Sequence, residues 1–319
     1  QAVEASGAGG KAHGALVTFH HPLLTSETLQ AALTLADEPM VIRAHDLLRL
    51  QRRALDQALA IDREPLLVER IGCSGNGFEG LRDPRGLSAT RLTGTFHVIA
   101  MPIAARQALV HAVESAGLDI IRLMYSLPAS LAGLWETGWN QRRVLLIDVG
   151  GLATDLGYFQ GPVLEAVRIL PQGGVTLAAA MAGALKISMD QAVTWSLEGS
   201  NCRRPEAQDV VEQAWKNIQA AIEEMLKIAV RPEAILLTGR GALTDGFAEW
   251  LERANGLPTS FGRPAQLHQA GALAQQVGLS SALGLLELAT RASSGFVPGS
   301  QPLLHRLLAR TRAVLTEYF

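Results

Sequence analysis

A short apolar run that ends in an acidic, glycine-rich turn constrains this chain more than any other segment. Residues 144–147 are Val-Leu-Leu-Ile, a pattern typical of a strand buried on both faces. The run leads directly into Asp148-Val-Gly-Gly-Leu-Ala-Thr-Asp155, after which a second strand is predicted at 156–159. Doubly buried strands are typical of α/β sheets covered on both sides, so the segment predicts an α/β fold with an acidic turn at a strand end.

Composition excludes several classes of protein. The 319 residues suggest about two domains. Lys and Arg number 28 against 30 for Asp and Glu, and a net charge of −2 gives no reason to expect nucleic acid as a partner. The sequence lacks an uninterrupted apolar run of about 18 residues that would span a membrane. The only cysteines, Cys73 and Cys202, lack the spacing of a zinc site or a disulfide framework.

The remaining patterns predict helices alternating with short strands. Strands are predicted at 15–19, 65–71, 93–101, 163–169 and 234–238. Helices are predicted at 25–36, 45–59, 103–116, 176–185, 207–230, 245–254 and 280–288.

Two glycine turns, at 148–155 and 239–241, are candidates for phosphate binding, because glycine lets backbone N–H groups approach a ligand closely. Taken singly, each turn is equally consistent with a tight turn that binds nothing. Together they predict a nucleotide site, since ligands of open α/β sheets bind at the carboxyl ends of strands. An aspartate beside such a turn can hold Mg²⁺ through water, although it can also simply cap the turn. The candidate nucleotide-binding residues of the two turns are Asp148, Gly150, Gly151, Thr154, Asp155, Gly239, Arg240 and Gly241, with Asp148 and Asp155 as Mg²⁺ groups.

Several of these segments resemble actin-like ATPases, and within that superfamily the FtsA family of bacterial cell-division proteins. The segments 144–155, 171–174 and 236–242 resemble its phosphate hairpin and its later glycine turns. The resemblance adds Gly173 and Gly174 to the candidate nucleotide-binding residues. The block Asp83-Pro-Arg-Gly-Leu-Ser-Ala-Thr-Arg-Leu92, followed by Phe96-His-Val-Ile99, is the most specific match. The resemblance implies an α/β actin-like ATPase (ribonuclease H-like) fold with an inserted small α+β subdomain and a C-terminal amphipathic helix.

The resemblance also implies a domain plan and a function. The plan places an SHS2-type subdomain at 1–125, the nucleotide-binding core at 126–290 with an outer lobe near 197–230, a linker at 291–301 and a membrane helix at 302–319. The implied protein binds ATP and tethers FtsZ filaments to the cytoplasmic face of the inner membrane at the division site. It self-associates into filaments, docks the FtsZ C-terminal tail on the outer lobe and signals to later divisome membrane proteins.

Four departures from the family pattern predict weak or absent hydrolysis. Leu152 and Ala153 stand where the family hairpin has a glycine and often a threonine, and Arg240 stands where it has a glycine. The stretch 192–196 lacks the Glu and Lys with which the family holds adenosine. The first phosphate loop of the family would lie upstream of Gln1, so we expect the sequence to begin inside the protein.

The final segment has the pattern of an amphipathic helix that begins at Pro302. Arg and apolar residues separate onto opposite sides, as in helices that bind anionic membrane surfaces. A helix that docks on the core or in a partner's groove is the alternative. The predicted membrane contacts are Leu303, Leu304, Arg306, Leu307, Leu308, Arg310, Leu315 and Phe319.

Two other functions within the superfamily remain open. One is a PilM-like type IV pilus assembly protein, which binds ATP and generally lacks the terminal helix. The other is a sugar-kinase-like enzyme, which would need a catalytic aspartate and a sugar cleft.

Overall fold

The computed structural model describes residues 14–134, 142–197, 205–227, 229–262 and 277–293. The strands are β1 (Gly14–Phe19), β2 (Thr25–Thr34), β3 (Met40–Val41), β4 (Arg63–Gly75), β5 (Phe78–Leu81), β6 (Ser88–Ala89), β7 (Arg91–Pro102), β8 (Asp119–Tyr125), β9 (Arg143–Val149), β10 (Thr154–Gln160), β11 (Val163–Leu170), β12 (Ala234–Thr238) and β13 (Thr259–Phe261). The helices are α1 (Ala44–Ala58), α2 (Ile103–Ser115), α3 (Ser126–Gly133), α4 (Gly174–Leu185), α5 (Met189–Leu197), α6 (Pro205–Leu226), α7 (Phe247–Asn255) and α8 (Ser280–Ser293).

The central sheet has five strands in the order β11-β10-β9-β12-β13. The predicted strand at 144–147 is confirmed as the middle of β9, which pairs in parallel with β12 and antiparallel with β10. Leu145 and Ile147 belong to a core that includes residues of α6 and α7, whereas Val144 and Leu146 belong to one that includes residues of α3. Both faces of β9 are therefore covered, which explains its continuous apolar sequence.

A smaller α+β unit is built on the antiparallel sheet β2-β7-β4-β5, with α1 packed against it. The helix predicted at 25–36 is wrong, because residues 25–34 form β2 and pair with β7 along their whole length. Leu29 and Leu33 are four positions apart, a spacing that satisfies both a helical face and one face of a strand. The intervening Ala31 is also buried, so the true period is two.

The two units meet along β11 and are joined by a third group of elements. The Ser26 hydroxyl donates to the Val167 carbonyl oxygen at 3.2 Å, and Arg82 forms an ion pair with Glu165. Beside this junction, β1 and β8 pair in parallel, and α8 packs against both α3 and β1. The antiparallel sheet falls within 25–102, and the wider subdomain predicted at 1–125 stays a prediction.

The predicted membrane helix at 302–319 lies outside the described residues, as do the linker positions beyond Ser293, where α8 ends. Within the described ranges, no helix is both long and apolar enough to cross a bilayer.

Candidate functional site

The acidic turn joins β9 to β10 and places its two aspartates side by side. Asp148 and Asp155 are directly opposite each other in the antiparallel register, so their side chains project on the same face. The turn is closed by a hydrogen bond of 3.0 Å from the Gly150 N–H to the Ala153 carbonyl oxygen. Asp155 is completely buried and Asp148 is 8% exposed, which brings two carboxylates into the interior of the protein.

The three predicted glycine turns meet at this hairpin. A Cβ on Gly173 would lie 2.5 Å from the Gly150 carbonyl oxygen, and one on Gly239 would lie 2.6 Å from Asp148 Oδ1. Gly239 also has a φ of +82°, a conformation that favours glycine. A Cβ on Gly241 would lie 2.5 Å from Val149 Cγ1. Glycine is needed at these positions because the three turns pack directly on one another.

Several N–H groups of these turns donate within the protein. The Gly174 N–H donates to the Gly150 carbonyl oxygen, and the Val175 N–H donates to that of Gly151, both at 2.8 Å. The Gly173 N–H donates to Thr176 Oγ1 at 2.7 Å. The Thr154 hydroxyl donates to the Gln172 carbonyl oxygen at 2.8 Å. These groups therefore join the hairpin to the start of α4.

Asp155 contacts two side chains from the β1–β8 side of the molecule. The Tyr125 hydroxyl donates to Asp155 Oδ2 at 2.7 Å, and His20 Nε2 lies 3.1 Å from Asp155 Oδ1. The His20 pair has the separation of an ion pair without the geometry of a regular hydrogen bond. Burial raises the pKa of Tyr125 well above its usual range, and the Asp155 carboxylate raises it further. The phenol therefore stays protonated and continues to donate.

Asp148 accepts a hydrogen bond of 3.2 Å from the Ser130 hydroxyl at its Oδ2 atom. Burial raises the pKa of Asp148 to about 6, although His20 acts in the opposite direction. Burial alone would lower the pKa of His20, but the two nearby carboxylates, Asp155 first, raise it overall. The cluster therefore favours a charged histidine beside a carboxylate pair.

A cavity of about 510 Å³ lies beside the hairpin, between α4, α6 and the segment 241–247. Its size falls within the range of small-molecule sites, and its walls are mainly apolar. The lining residues are Val149, Thr154, Gln172, Gly173, Gly174, Thr176, Leu177, Ala180, Asp209, Val210, Gln213, Ala214, Trp215, Asn217, Ile218, Gly241, Thr244 and Phe247. Four of the predicted site residues therefore line this cavity: Thr154, Gly173, Gly174 and Gly241.

A chain of side-chain amides provides the polar part of this wall. Gln213 Nε2 donates to Asn217 Oδ1, Asn217 Nδ2 donates to Gln172 Oε1, and Gln172 Nε2 donates to the Ala214 carbonyl oxygen. Arg240 is exposed, and its Cγ lies 2.8 Å from where a Cβ on Gly278 would be. The predicted site residue Arg240 therefore packs over Gly278.

The aspartate pair does not fit a Mg²⁺ ion in this arrangement. Asp155 Oδ2 accepts the Tyr125 hydroxyl, Oδ1 lies 3.1 Å from His20 Nε2 without a hydrogen bond, and this carboxylate has no exposed surface. Oδ2 of Asp148 is bound by Ser130, and its Oδ1 packs against Gly239. Among the residues that the structure describes, no group of three or more His, Cys, Asp and Glu side chains is arranged to hold a metal.

Sequence reasoning missed three members of this cluster: His20, Tyr125 and Ser130. The positions of His20 and Tyr125 at strand ends could have indicated these two residues. His20 directly follows β1 and Tyr125 ends β8, so both lie at the carboxyl ends of parallel strands, where ligands and functional groups gather in α/β sheets.

Comparison with known proteins identifies the smaller unit. Residues 23–100 match the model of the SHS2 domain inserted in FtsA. The match includes the block Asp83–Leu92, which contains Gly86-Leu87-Ser88 and is called the GLS block below. It also includes nearly all of the antiparallel sheet with α1.

Related proteins extend the likeness to the rest of the chain. The chain is 22% identical to the cell division protein FtsA of Streptococcus pneumoniae, over 89% of this chain and 68% of that protein. It is 23% identical to FtsA of Escherichia coli K12, over 65% of this chain and 58% of that protein. A solved structure of the PilM–PilN type IV pilus biogenesis complex shares the fold with a TM-score of 0.63 and 19% identity, over 82% of this chain and 75% of that one.

The chain thus has an actin-like fold, and its residues 23–100 match the SHS2 domain that is inserted in FtsA. It is similar, over most of its length, to the bacterial cell division protein FtsA. The resemblance and the fold class predicted from the sequence are confirmed, apart from the C-terminal helix, which lies outside the described residues.

Proposed function

We propose that this chain is a scaffold of bacterial cell division that links FtsZ filaments to the inner face of the cytoplasmic membrane at the division site. The observation that supports the proposal most directly is the SHS2 domain of the FtsA type at 23–100, inserted in an actin-like chain. A scaffold of this kind needs three contacts: with FtsZ, with the membrane and with copies of itself.

The contact with FtsZ is tested by sedimentation. Polymerised FtsZ should carry the chain into the pellet, and FtsZ that lacks its C-terminal tail should leave it in the supernatant. Equal pelleting with both forms of FtsZ would contradict docking of the tail. The outer lobe near 197–230 is the proposed docking surface.

Membrane binding is assigned to residues 302–319. Vesicles that contain phosphatidylglycerol should carry the chain upwards in a flotation gradient, and deletion of 302–319 should abolish this. Both variants introduce glutamine: L308Q places it on the predicted apolar face of the helix, and H305Q places it on the predicted polar face. We expect L308Q to weaken flotation and H305Q to leave it nearly unchanged. Self-association strengthens such a weak single-helix anchor by avidity.

ATP is the proposed ligand of the 510 Å³ cavity. The apolar wall with its amide chain suits a purine nucleoside. Hydrolysis is expected to be weak or absent, because Leu152 and Ala153 alter the family hairpin.

Binding of ATP is tested by calorimetric titration of two matched variants. Ala180 lines the cavity, whereas its neighbour Ala179 is equally exposed on α4 and does not line it. A180W should lower the affinity for ATP, and A179W should leave it unchanged. Equal effects of the two substitutions would place the nucleotide elsewhere.

A PilM-like role in type IV pilus assembly is the second candidate, supported by the shared fold with the PilM–PilN complex. The terminal helix separates the two proposals. Membrane recruitment that persists after deletion of 302–319, together with no response to FtsZ, would favour the PilM-like role.

A further inference from the structure

We infer that Asp148 and Asp155 form a metal-free latch between the β9–β10 hairpin and the β1–β8 side of the molecule, in which the His20 imidazole takes the place that a divalent cation would need. The latch consists of His20, Tyr125, Ser130, Asp148 and Asp155. It concerns the same hairpin as the proposed nucleotide site but does not depend on nucleotide binding.

Asp155 provides the strongest evidence. Its Oδ2 atom accepts the Tyr125 hydroxyl at 2.7 Å, and its Oδ1 atom lies 3.1 Å from His20 Nε2. The carboxylate is completely buried, so a hydrated Mg²⁺ ion could reach it only if the 19%-exposed His20 side chain moved away. Mg²⁺ gives up its water reluctantly and needs near-octahedral geometry, which this enclosed pair does not offer.

Asp148 is closed off from the other side. Ser130 donates to its Oδ2 atom, and Gly239 lies so close to its Oδ1 atom that a Cβ there would be 2.6 Å away. The His20 ring covers the turn between the two acids, because a Cβ on Gly150 would lie 2.8 Å from His20 Cε1. The imidazole therefore occupies the open side of the hairpin.

The side chains that contact the two aspartates come from a different part of the chain. Both acids belong to the hairpin of the central sheet, whereas His20, Tyr125 and Ser130 come from the end of β1, the end of β8 and α3. The carboxylates thus join two parts of the chain that pair within different sheets. Two buried carboxylates side by side need a compensating positive group, and His20 is positioned to provide it.

The probe is Mn²⁺, a paramagnetic substitute for Mg²⁺, titrated into the full chain without nucleotide and followed by electron paramagnetic resonance. We expect wild type and D155N to bind Mn²⁺ identically, because Asp155 takes no part. A Mn²⁺ site in wild type that D155N loses, and that D209N at the exposed cavity carboxylate retains, would overturn the latch.

Removal of the imidazole provides the second arm. H20S uncovers Asp155 Oδ1 and leaves room for a hydrated cation, so this variant should gain a saturable Mn²⁺ site that the double variant H20S/D155N lacks. A folded H20S variant with no such gain would also overturn the inference. If H20S does not fold, wild type and D155N decide alone. Titration of ATP into A180W and A179W tests the nucleotide proposal separately. Failure of the nucleotide proposal can therefore be distinguished from failure of the latch.

Discussion

Gly284 of α8 packs directly against the backbone of Ala129 in α3, with no space for a side chain between the two helices. Gly133 makes the reciprocal approach to Ser280. This crossing connects α8 to α3, from which Ser130 reaches Asp148. The close approach of two helices through glycine thus supports one side of the aspartate cluster.

G284A should therefore destabilise the protein. Alanine gains about 1 kcal/mol of helix propensity, but the added methyl group collides with backbone, and overpacking of this kind costs about 1–3 kcal/mol. Urea denaturation should show a net loss. L286A, at an exposed position of the same helix, is the control and should change stability by no more than about 0.5 kcal/mol. Stabilisation by G284A would contradict the close crossing.

Two glycines of one segment should respond to alanine in opposite directions. Gly173 lies against the hairpin backbone, so G173A should lower stability by about 1–3 kcal/mol. Gly183 lies within α4, where an added Cβ would have no atom within 4 Å, so G183A should raise stability by about 0.5–1 kcal/mol. Thermal unfolding of the two variants in one buffer measures the difference. The same sign for both would contradict the packing of the turns.

The free energy of unfolding should fall as the pH rises, because Asp148 loses its proton. Its pKa is about 6 when folded, because of burial, against about 3.9 when unfolded, so the folded state binds more protons between these values. The difference corresponds to roughly 3 kcal/mol, lost as the pH rises through about 6. His20 acts in the same direction, because its raised pKa contributes stability that is lost as the pH rises through that pKa.

The measurement compares wild type with D148N in urea at pH 4.5 and 7.5. Asparagine retains an acceptor for Ser130 but cannot ionise, so D148N should gain stability relative to wild type at the higher pH. Parallel pH profiles for the two proteins would rule out a titrating Asp148.

His97 should produce the opposite trend. This side chain is 3% exposed, and burial, reinforced by Arg168, lowers its pKa to about 4. The unfolded histidine, with a pKa near 6.5, binds the proton more readily, so His97 removes up to roughly 3 kcal/mol as the pH falls from about 6.5 to 4.

Replacement of His97 by glutamine removes the titration at similar polarity. When the pH is lowered from 6.5 to 4.5, H97Q should therefore lose less stability than wild type. Over the same pH change, D148N should lose more stability than wild type. Chemical denaturation at several pH values would resolve these opposite shifts, and a shift of both variants in one direction would contradict the assignments.

In the smaller unit, the local sequence pattern predicted one element correctly and another wrongly. Helix α1 was predicted at 45–59 and is observed at Ala44–Ala58, because its apolar positions follow the helical period over several turns. Strand β2 was predicted as a helix, since Leu29 and Leu33 satisfy both periods. Its pairing with β7, more than fifty residues later in the chain, decides between them.

The sequence alone determined four of the five central strands, the glycine turns and the resemblance to FtsA, because each depends on residues close together in the chain. It missed the edge strand β13. A continuous apolar run, an acidic turn and the GLS block are local chemical patterns. The tertiary structure decided what surrounds the two aspartates. His20 lies 135 positions before Asp155 and reaches it only because β1 and β8 pair in parallel and end beside the hairpin. Long-range strand pairing of this kind leaves no periodic signal in the sequence, yet it places a histidine beside the two aspartates that the sequence predicted as Mg²⁺ groups.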